Sequence, residues 1–420
     1  MIKQNNEASK KPPARNNHIC LPFESERQYG ECIKNTVKYR KFLAQRLAEH
    51  PELFPMDFAK GYQFHSKYWQ KKQKLMVRRI KLKATSKIFA IRPSFVMPYG
   101  VARTDEVEKP LLLLGDGVAL ESLTYAFGRD PHYWNRMWLS FGRPSLVGTT
   151  IKDPAKLPAH LVPDEKVTWH QNQEVLAATT VGGGCFLGVA LARDTSSGAM
   201  IKAYGEFKQE AQNLDSTYAP ESICSDGFKS TRLAWRELFP GLTLILCFLH
   251  GVLKITERCR GQLRTEVLDR VWSCYQAATL RQSSQRFRRL GEWAARNLSG
   301  PVLEMVEKLL ANQEHYQIAY QMPKAHRTTN AVDRLMNQQD RLLYARRYLH
   351  GNGDGTGKND PARLALRAMA MQWNFHPYST RVRRENPKRQ SPFADLNGFQ
   401  YHDNWLHNLL IAASLGGRKL

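Results

Sequence analysis

No apolar run in this 420-residue chain approaches the roughly 20 residues that a membrane-spanning helix needs, so a membrane is not expected among its partners. The opening stretch, MIKQNNEASKKPPARNN, lacks the apolar centre of a secretory signal and reads as part of a disordered basic tail over residues 1–24. Cysteine is sparse. Seven residues, an odd number without regular spacing, exclude a disulfide scaffold and fit a reducing cytoplasm. Acid is scarce as well: 38 Asp and Glu stand against 62 Lys and Arg, a formal charge of +24. The deficit concentrates between Asp57 and Asp105, where no acidic residue occurs but Lys71, Lys72, Lys74, Arg78, Arg79, Lys81 and Lys83 all fall. A solvated face mixes signs, whereas a one-sign run of this length points to a polyanion. Nucleic acid leads, because neutralised phosphates release their counterions. These basic residues are therefore assigned to DNA contact, and no small-molecule substrate is expected.

What is present changes pattern along the chain. Residues 25–50 carry helical periodicity through Tyr29, Cys32, Val37, Phe42, Leu43 and Leu47, ended by Pro51. Residues 77–83 and 88–91 alternate as strands do. Residues 111–114 form a short apolar run, read as a buried strand leading into Gly115-Asp116-Gly117. Between 120 and 147 two short helical segments flank Gly128-Arg129-Asp130-Pro131, a helix-turn-helix pattern that adds Arg136 and Arg143 as DNA contacts. Trp134 and Trp138, at i and i+4, read as the core of that pair. Together residues 25–155 make a basic N-terminal α+β DNA-binding region.

Prolines at 154, 158 and 163 mark a boundary, and a regular order begins after them. Strands are expected over 164–169, 174–181 and 185–192, the last two joined by Gly182-Gly183-Gly184. A helix over 200–214, a strand ending at Asp226, a helix over 230–239 and a strand over 242–248 complete the set. This order, β-β-β-α-β-α-β, is an antiparallel meander extended by parallel strands. It is the order of an RNase H-like mixed sheet, so the fold class is α/β. Residues 156–250 would form the first part of that core. Residues 251–325 hold no strand-like run and read as an all-helical insertion. Residues 326–395 would return to the core, and residues 396–420 end in a helix through Trp405, Leu406, Leu409 and Leu410.

Phosphodiester cleavage assisted by two metal ions needs carboxylates converging from separate elements. Mg²⁺ takes hard oxygen ligands, keeps several waters, and is expected to be replaceable by Mn²⁺. In a sheet of this order the acids belong on the first strand, at the tip of the fourth and on a later helix. Asp164, Asp226 and Asp333 hold those positions. Each has a plainer alternative. Asp164 with Glu165 reads as a solvated strand entry, Asp226 as a turn with Gly227, and Asp333 as a capping-box member with Asn330 as N-cap. Asp116 competes for the first position, with Glu165 and Glu174 as lesser candidates. Cys247 and His250, a C-x-x-H at a strand end, read as a buried cysteine and a hydrogen-bonded histidine near the site. As half a zinc motif they lack a fourth ligand.

The set Asp164, SDGFKSTRLAWRELFP around Asp226, CFLH at 247–250 and TTNAVDRLM around Asp333 (with Asn330) resembles the catalytic core of DDE-type insertion-sequence transposases, specifically those related to the Mutator-like group. The resemblance covers roughly residues 160–350. In that family a helical insertion precedes the third acid and a C-x-x-H motif comes after the second. The separations here are 62 and 107 residues, the longer of which accommodates the insertion. The family's third acid is usually Glu, and Asp333 is one methylene shorter. The resemblance implies cleavage at the ends of a bacterial insertion sequence with two Mg²⁺ per site. The freed 3′-OH would then attack target DNA without a covalent protein–DNA intermediate. It further implies terminal inverted repeats and target DNA as partners, a homodimer or larger assembly, and a nucleoid-associated protein of the bacterial cytoplasm. The residues alone also leave open an inactive RNase H-like DNA-binding regulator and a structure-specific nuclease.

Overall fold

The computed structural model describes residues 17–98 and 100–418. Residues 1–16 of the expected tail lie outside the described residues. The tail does not extend to 24, since His18–Leu21 is a strand. The chain divides into two compact units, Met1–Glu108 with Gln400–Leu420, and Lys109–Phe399.

The first unit carries a four-stranded sheet of β1 (His18–Leu21), β2 (Tyr62–Gln70), β3 (Leu75–Leu82) and β4 (Ile88–Pro93), ordered β1-β4-β3-β2. β1 runs parallel to β4 and the other pairs are antiparallel. The helical stretch expected over 25–50 is two helices, Glu26–Lys34 and Thr36–Glu49. Asn35 makes the break: its side-chain oxygen accepts the N–H groups of Val37 and Lys38 at 2.9 and 3.0 Å, an N-cap that starts the second helix afresh. These helices lie on the sheet, with Tyr39 packed on Phe64 (5.7 Å between centroids) and Tyr29 donating to the Met76 carbonyl at 2.7 Å.

The last helix, Trp405–Ala412, is mostly apolar, with His407 and Asn408 as its polar residues, and every one of its residues is buried. It belongs to this unit because its surroundings satisfy it there. His407 Nδ1 lies 3.0 Å from Ser94 Oγ, and Ser414 accepts the Cys20 N–H and donates to the Leu53 carbonyl.

The second unit begins earlier than the boundary expected at 155. Residues 111–114 are not a strand but part of the helix Thr104–Gly115, in which Leu111 and Leu114 are buried one turn apart. The helical pair is present as Leu120–Phe127 and Pro131–Leu139, with Trp134 and Trp138 in the core. Trp138 donates to Gln372 at 2.7 Å and Gln372 donates to the Leu111 carbonyl, so residues 109–155 pack with the later residues of this unit.

At the centre of this unit is a five-stranded mixed sheet of β5 (His160–His170), β6 (Gln173–Gly182), β7 (Cys185–Ala192), β8 (Ser222–Ser225) and β9 (Thr243–Leu246), in the order β7-β6-β5-β8-β9. β5, β6 and β7 form an antiparallel meander, while β8 and β9 run parallel to β5. Gln171 and Asn172, both with positive φ, make the two-residue β5–β6 turn, the geometry that matches strand twist. Gly183 and Gly184 turn β6 into β7.

The helices Ser197–Leu214 and Lys229–Leu238 cover one face of this sheet, burying Tyr204, Phe207 and Trp235 against Ala178 and Ala190. The helix Asn330–Ala345 lies against β5 and β6. Between β9 and that helix every element is helical, and Phe248, Val252, Val271, Phe287 and Val306 form a core of their own. Among the described residues no helix is long and apolar enough to cross a membrane.

Candidate active site

Asp164 sits on β5, opposite Thr179 of β6. Directly opposed residues project to the same face. Thr179 Oγ1 accepts from Gln339 Nε2 at 3.0 Å, so that face is the one on which the helix Asn330–Ala345 lies. Its neighbour Glu165 points the other way, where its carboxylate is held by the hydroxyls of the buried Tyr204 and Thr231. Strand alternation thus sorts two adjacent acids into different roles. Glu165 is a hydrogen-bonded buried group, and Asp164 faces the site.

Asp226 comes directly after the last residue of β8. The parallel register pairs His160 with Ser222 and Leu161 with Ile223, an offset of 62 residues. The same offset separates Asp164 from Asp226, so the register, continued, brings the two carboxylates level on adjacent strands. Asp226 does make its turn, accepting the Phe228 N–H at 2.7 Å, and Gly227 takes φ +92° there. Only one carboxylate oxygen is used in that bond.

Asp333 stands in the first turn of the helix Asn330–Ala345. The expected capping box is not formed. Thr329, not Asn330, is the N-cap, and Asn330 is the first helical residue, with its side chain exposed. Asp333 therefore lies one position beyond capping reach, and its carboxylate enters no hydrogen bond with the described residues. Nor does His250 sit at a strand end. β9 stops at Leu246, Cys247 is the N-cap of a new helix, Phe248–Thr256, and His250 occupies its first turn.

Cys247 and His250 join the acids together. The Cys247 sulfur accepts the buried Thr329 N–H at 3.2 Å and lies 3.4 Å from its hydroxyl, which is 3.5 Å from His250 Nδ1. The Phe248 N–H donates to the Arg327 carbonyl at 3.1 Å. These bonds tie the start of the Asp333 helix to the tip of β9. Thr329 is the residue that sequence reasoning missed. Its signal was the TTN run, three residues of the N-cap type, although the Thr329 hydroxyl turns to Cys247 and His250 and accepts no N–H of its own helix.

The electrostatics arise from this arrangement. Burial pushes the Asp164 carboxyl up to about 7; the charges of Glu165 and Asp226 add to the rise, while the Glu165 N–H and His250 oppose it. Burial also raises Asp333, as does Cys247, against the pull of His250. His250 is itself raised, first by its hydrogen bond to Cys247, against burial, and then by the charges of Cys247, Asp226 and Asp164. The Cys247 thiol is drawn down by hydrogen bonds from Cys224, His250 and Thr329. His250 thus interacts with all three acids, being raised by Asp164 and Asp226 and pulling Asp333 down, while Glu165 and Asp226 add their charges to the burial of Asp164.

Among the described residues no three His, Cys, Asp or Glu side chains stand close enough, as placed, to hold one ion. The donor chemistry nonetheless suits a divalent cation. Asp164 accepts the Glu165 N–H through one oxygen only, Asp226 likewise uses one, and Asp333 uses none. Hard, under-used oxygens, one of them on a carboxyl that burial first and then the charges of Glu165 and Asp226 lift to about 7, suit Mg²⁺ or Mn²⁺.

The other candidates fall elsewhere. Asp116 is 3.1 Å from His376 and does not stand among the charges acting on the three acids. Glu174 is exposed beside the β5–β6 turn. Of the expected DNA contacts in the first unit, Lys71, Lys72 and Lys74 are exposed in the β2–β3 turn and Lys83 is exposed. Lys81 and Arg79 are half-buried, with the Arg79 guanidinium 4.6 Å from the Tyr68 ring centre. Arg78 is not a surface residue: it is 6% exposed, stacks over Phe64 and donates to the Ile33 carbonyl. The helices that cover its face of β3 turn it inward. Arg136 and Arg143 are exposed, but in the second unit. Compared with protein-family models and with curated proteins, the chain matches none.

Proposed function

We propose that this chain is a metal-dependent DNA transposase with an RNase H-like core, cutting at the ends of a bacterial insertion sequence and joining them to target DNA. The single observation that supports it best is the placement of Asp164, Asp226 and Asp333 around one histidine, His250. They come from a central strand, the tip of its parallel neighbour and the first turn of a helix docked on the same face, and all three act on His250 or are acted on by it.

These three carboxylates would hold the cations. When bound, divalent cations would supply Lewis acidity to the phosphodiester and its attacking hydroxyl. Asp164 would give up, on cation binding, the proton that burial lets it keep near neutral pH. Cys247 and Thr329 would fix the Asp333 helix so that its short side chain reaches the site. Lys71, Lys72, Lys74 and Lys83, with Arg136 and Arg143, would meet DNA phosphates. Two copies would be needed to hold two element ends.

The test is Mg²⁺- or Mn²⁺-dependent joining of a labelled, pre-cut inverted-repeat end to target DNA. Joined product in wild type, absent in Asp226→Ala and Asp333→Ala with DNA binding retained, is the expected result. Cleavage without joining would identify a nuclease instead, and binding without either reaction would identify a DNA-binding regulator.

A further inference from the structure

A second feature of the same unit lies at the far end of the Asp333 helix. Tyr344 is 81% exposed and Tyr348 45% exposed, and both line a cleft of about 630 Å³ with Arg341, Arg347, Gly117 and Asp116. An adjoining cleft of about 440 Å³ shares Arg341, Tyr344 and Tyr348 and reaches Val167 and Thr168 of β5. Isolated aromatics on a surface need no explanation, but these stand together around one opening.

The backbone is bent to hold them there. Arg347 and Tyr348 both take left-handed φ values, +53° and +69°, which non-glycine residues seldom do in succession. The Tyr348 N–H returns to the Leu343 carbonyl at 2.6 Å, and the Leu349 N–H meets the Trp169 carbonyl at 3.2 Å. Tyr348 is thereby folded back beside Tyr344 instead of leaving along the helix axis.

The charges around the cleft do not cancel. Asp340 is held by Lys166 at 2.8 Å, and the one acid lining the larger cleft, Asp116, 3.1 Å from His376, is outnumbered by Arg341 and Arg347. Arg341 and Arg347 are exposed, and no carboxylate among the described residues pairs with either. Two tyrosine faces and two uncommitted guanidinium groups suit a ligand that is flat and anionic in alternation. Duplex DNA buries its base faces and cannot use the tyrosines, whereas an unpaired strand offers both. From Asp164 to Thr168, the cleft residue that projects to the same face of β5, is about 13 Å along the strand, about two or three nucleotides of unpaired strand.

We propose that this cleft binds an unpaired DNA strand, with bases stacked on Tyr344 and Tyr348 and phosphates met by Arg341 and Arg347. The inference rests on reading the chain as a DNA-processing enzyme and names where a frayed or cut strand is held.

The test is the affinity of the full chain for a fluorescent oligothymidylate 20-mer and, in parallel, for a 20-base-pair duplex. Tyr344→Ala should weaken oligothymidylate binding by about 5- to 100-fold, the loss of one stacked base, and leave duplex binding unchanged. Tyr344→Phe, which keeps the ring, should bind as wild type. Arg341→Gln with Arg347→Gln should flatten the dependence of log K on log salt by about 1.4. Thermal melting checks the fold of each variant.

Wild type that does not bind oligothymidylate, Tyr344→Ala that binds within two-fold of wild type, or equal losses in Tyr344→Ala and Tyr344→Phe would each overturn the proposal. Asp226→Ala separates it from the catalytic reading. Strand binding without joining by wild type would remove the transposase alone, and joining that is indifferent to Tyr344 would remove the cleft alone.

Discussion

Replacing Asp164 by Asn should make the protein more stable at pH 8 while abolishing its reaction. The reasoning is thermodynamic. The carboxyl is lifted from an ordinary 3.8 to about 7, chiefly by burial and then by Glu165 and Asp226. A folded pKa raised above the unfolded one means that the folded state binds the proton more tightly, so stability falls as pH rises from about 4 to about 7 and is level beyond. At about 1.4 kcal/mol per pH unit the ceiling is about 4 kcal/mol, and residual solvent at a site that must admit substrate lowers it to about 2–3. Asparagine keeps the oxygen that accepts the Glu165 N–H but carries no charge, so it escapes the penalty. In EDTA, Asp164→Asn should melt several degrees above wild type at pH 8, at about 2 °C per kcal/mol for a chain of this size. The gain should vanish by pH 4. Adding Mg²⁺ at pH 8 should raise wild type and leave the variant nearly unmoved, because the cation offsets the cost of the buried charge that asparagine does not carry. A variant no more stable than wild type at pH 8, or a gain that persists unchanged at pH 4, would refute the account of a carboxyl raised by burial and by its acidic neighbours.

Three other perturbations are informative. Cys247→Ala leaves the buried Thr329 N–H without its acceptor and should cost about 1–3 kcal/mol in chemical denaturation, whereas Cys247→Ser, which restores an acceptor, should recover most of it and most of the joining activity. Arg367, 3% exposed, donates to Glu210 at 2.6 Å and to two backbone carbonyls, so Arg367→Met should cost about 3–5 kcal/mol by stranding Glu210. Changing Lys71, Lys72 and Lys74 together to Gln should weaken duplex binding and lower its salt slope by up to about 2.7, measured by anisotropy at several salt concentrations. Arg78→Met should instead lower the melting temperature and leave that slope alone.

Much of the second unit's sheet was legible because its signals are local. Period-two alternation, a Gly-Gly turn and apolar runs capped by Asp-Gly each reveal a strand without knowledge of its partners. The places that misled are those where local signals tie. Four apolar residues at 111–114 suit a buried strand as well as a helix, and only the burial of Leu111 and Leu114 one turn apart decides it. β2 escaped notice because its alternation, YQFHSKYWQ, sets aromatic residues against polar ones and not aliphatic against charged. Arg78 shares the strand parity of Ile80 and Leu82 and Arg79 that of Lys81 and Lys83, a cue that a count of basic residues passes over. The pleat sends Arg78 under the helices and Arg79 onto Tyr68. Thr329 and Asn330 are both good caps, and the choice fell to the one whose N–H could reach Cys247. The tyrosine cleft was invisible in principle, since an aromatic residue does not announce whether it is buried.

That position 333 is aspartate, one methylene shorter than the glutamate that the proposed transposase reading leads one to expect, fits the same bonds. A shorter side chain demands that its helix come closer to the sheet or begin further along. Two features pull the helix in. The Thr329 N–H lies on the Cys247 sulfur and the Arg327 carbonyl receives the Phe248 N–H, so the two residues flanking Thr328 are pinned to the tip of β9. Capping the helix at Thr329 instead of Asn330 then moves Asp333 from the third to the fourth helical position. That takes its carboxylate away from the terminal N–H groups and the competition they offer. An aspartate at the third position would satisfy its own helix; at the fourth it is left free to serve another partner. The C-x-x-H segment therefore acts on the start of the Asp333 helix through Thr329, with the Cys247 sulfur as a hydrogen-bond acceptor fixed in place.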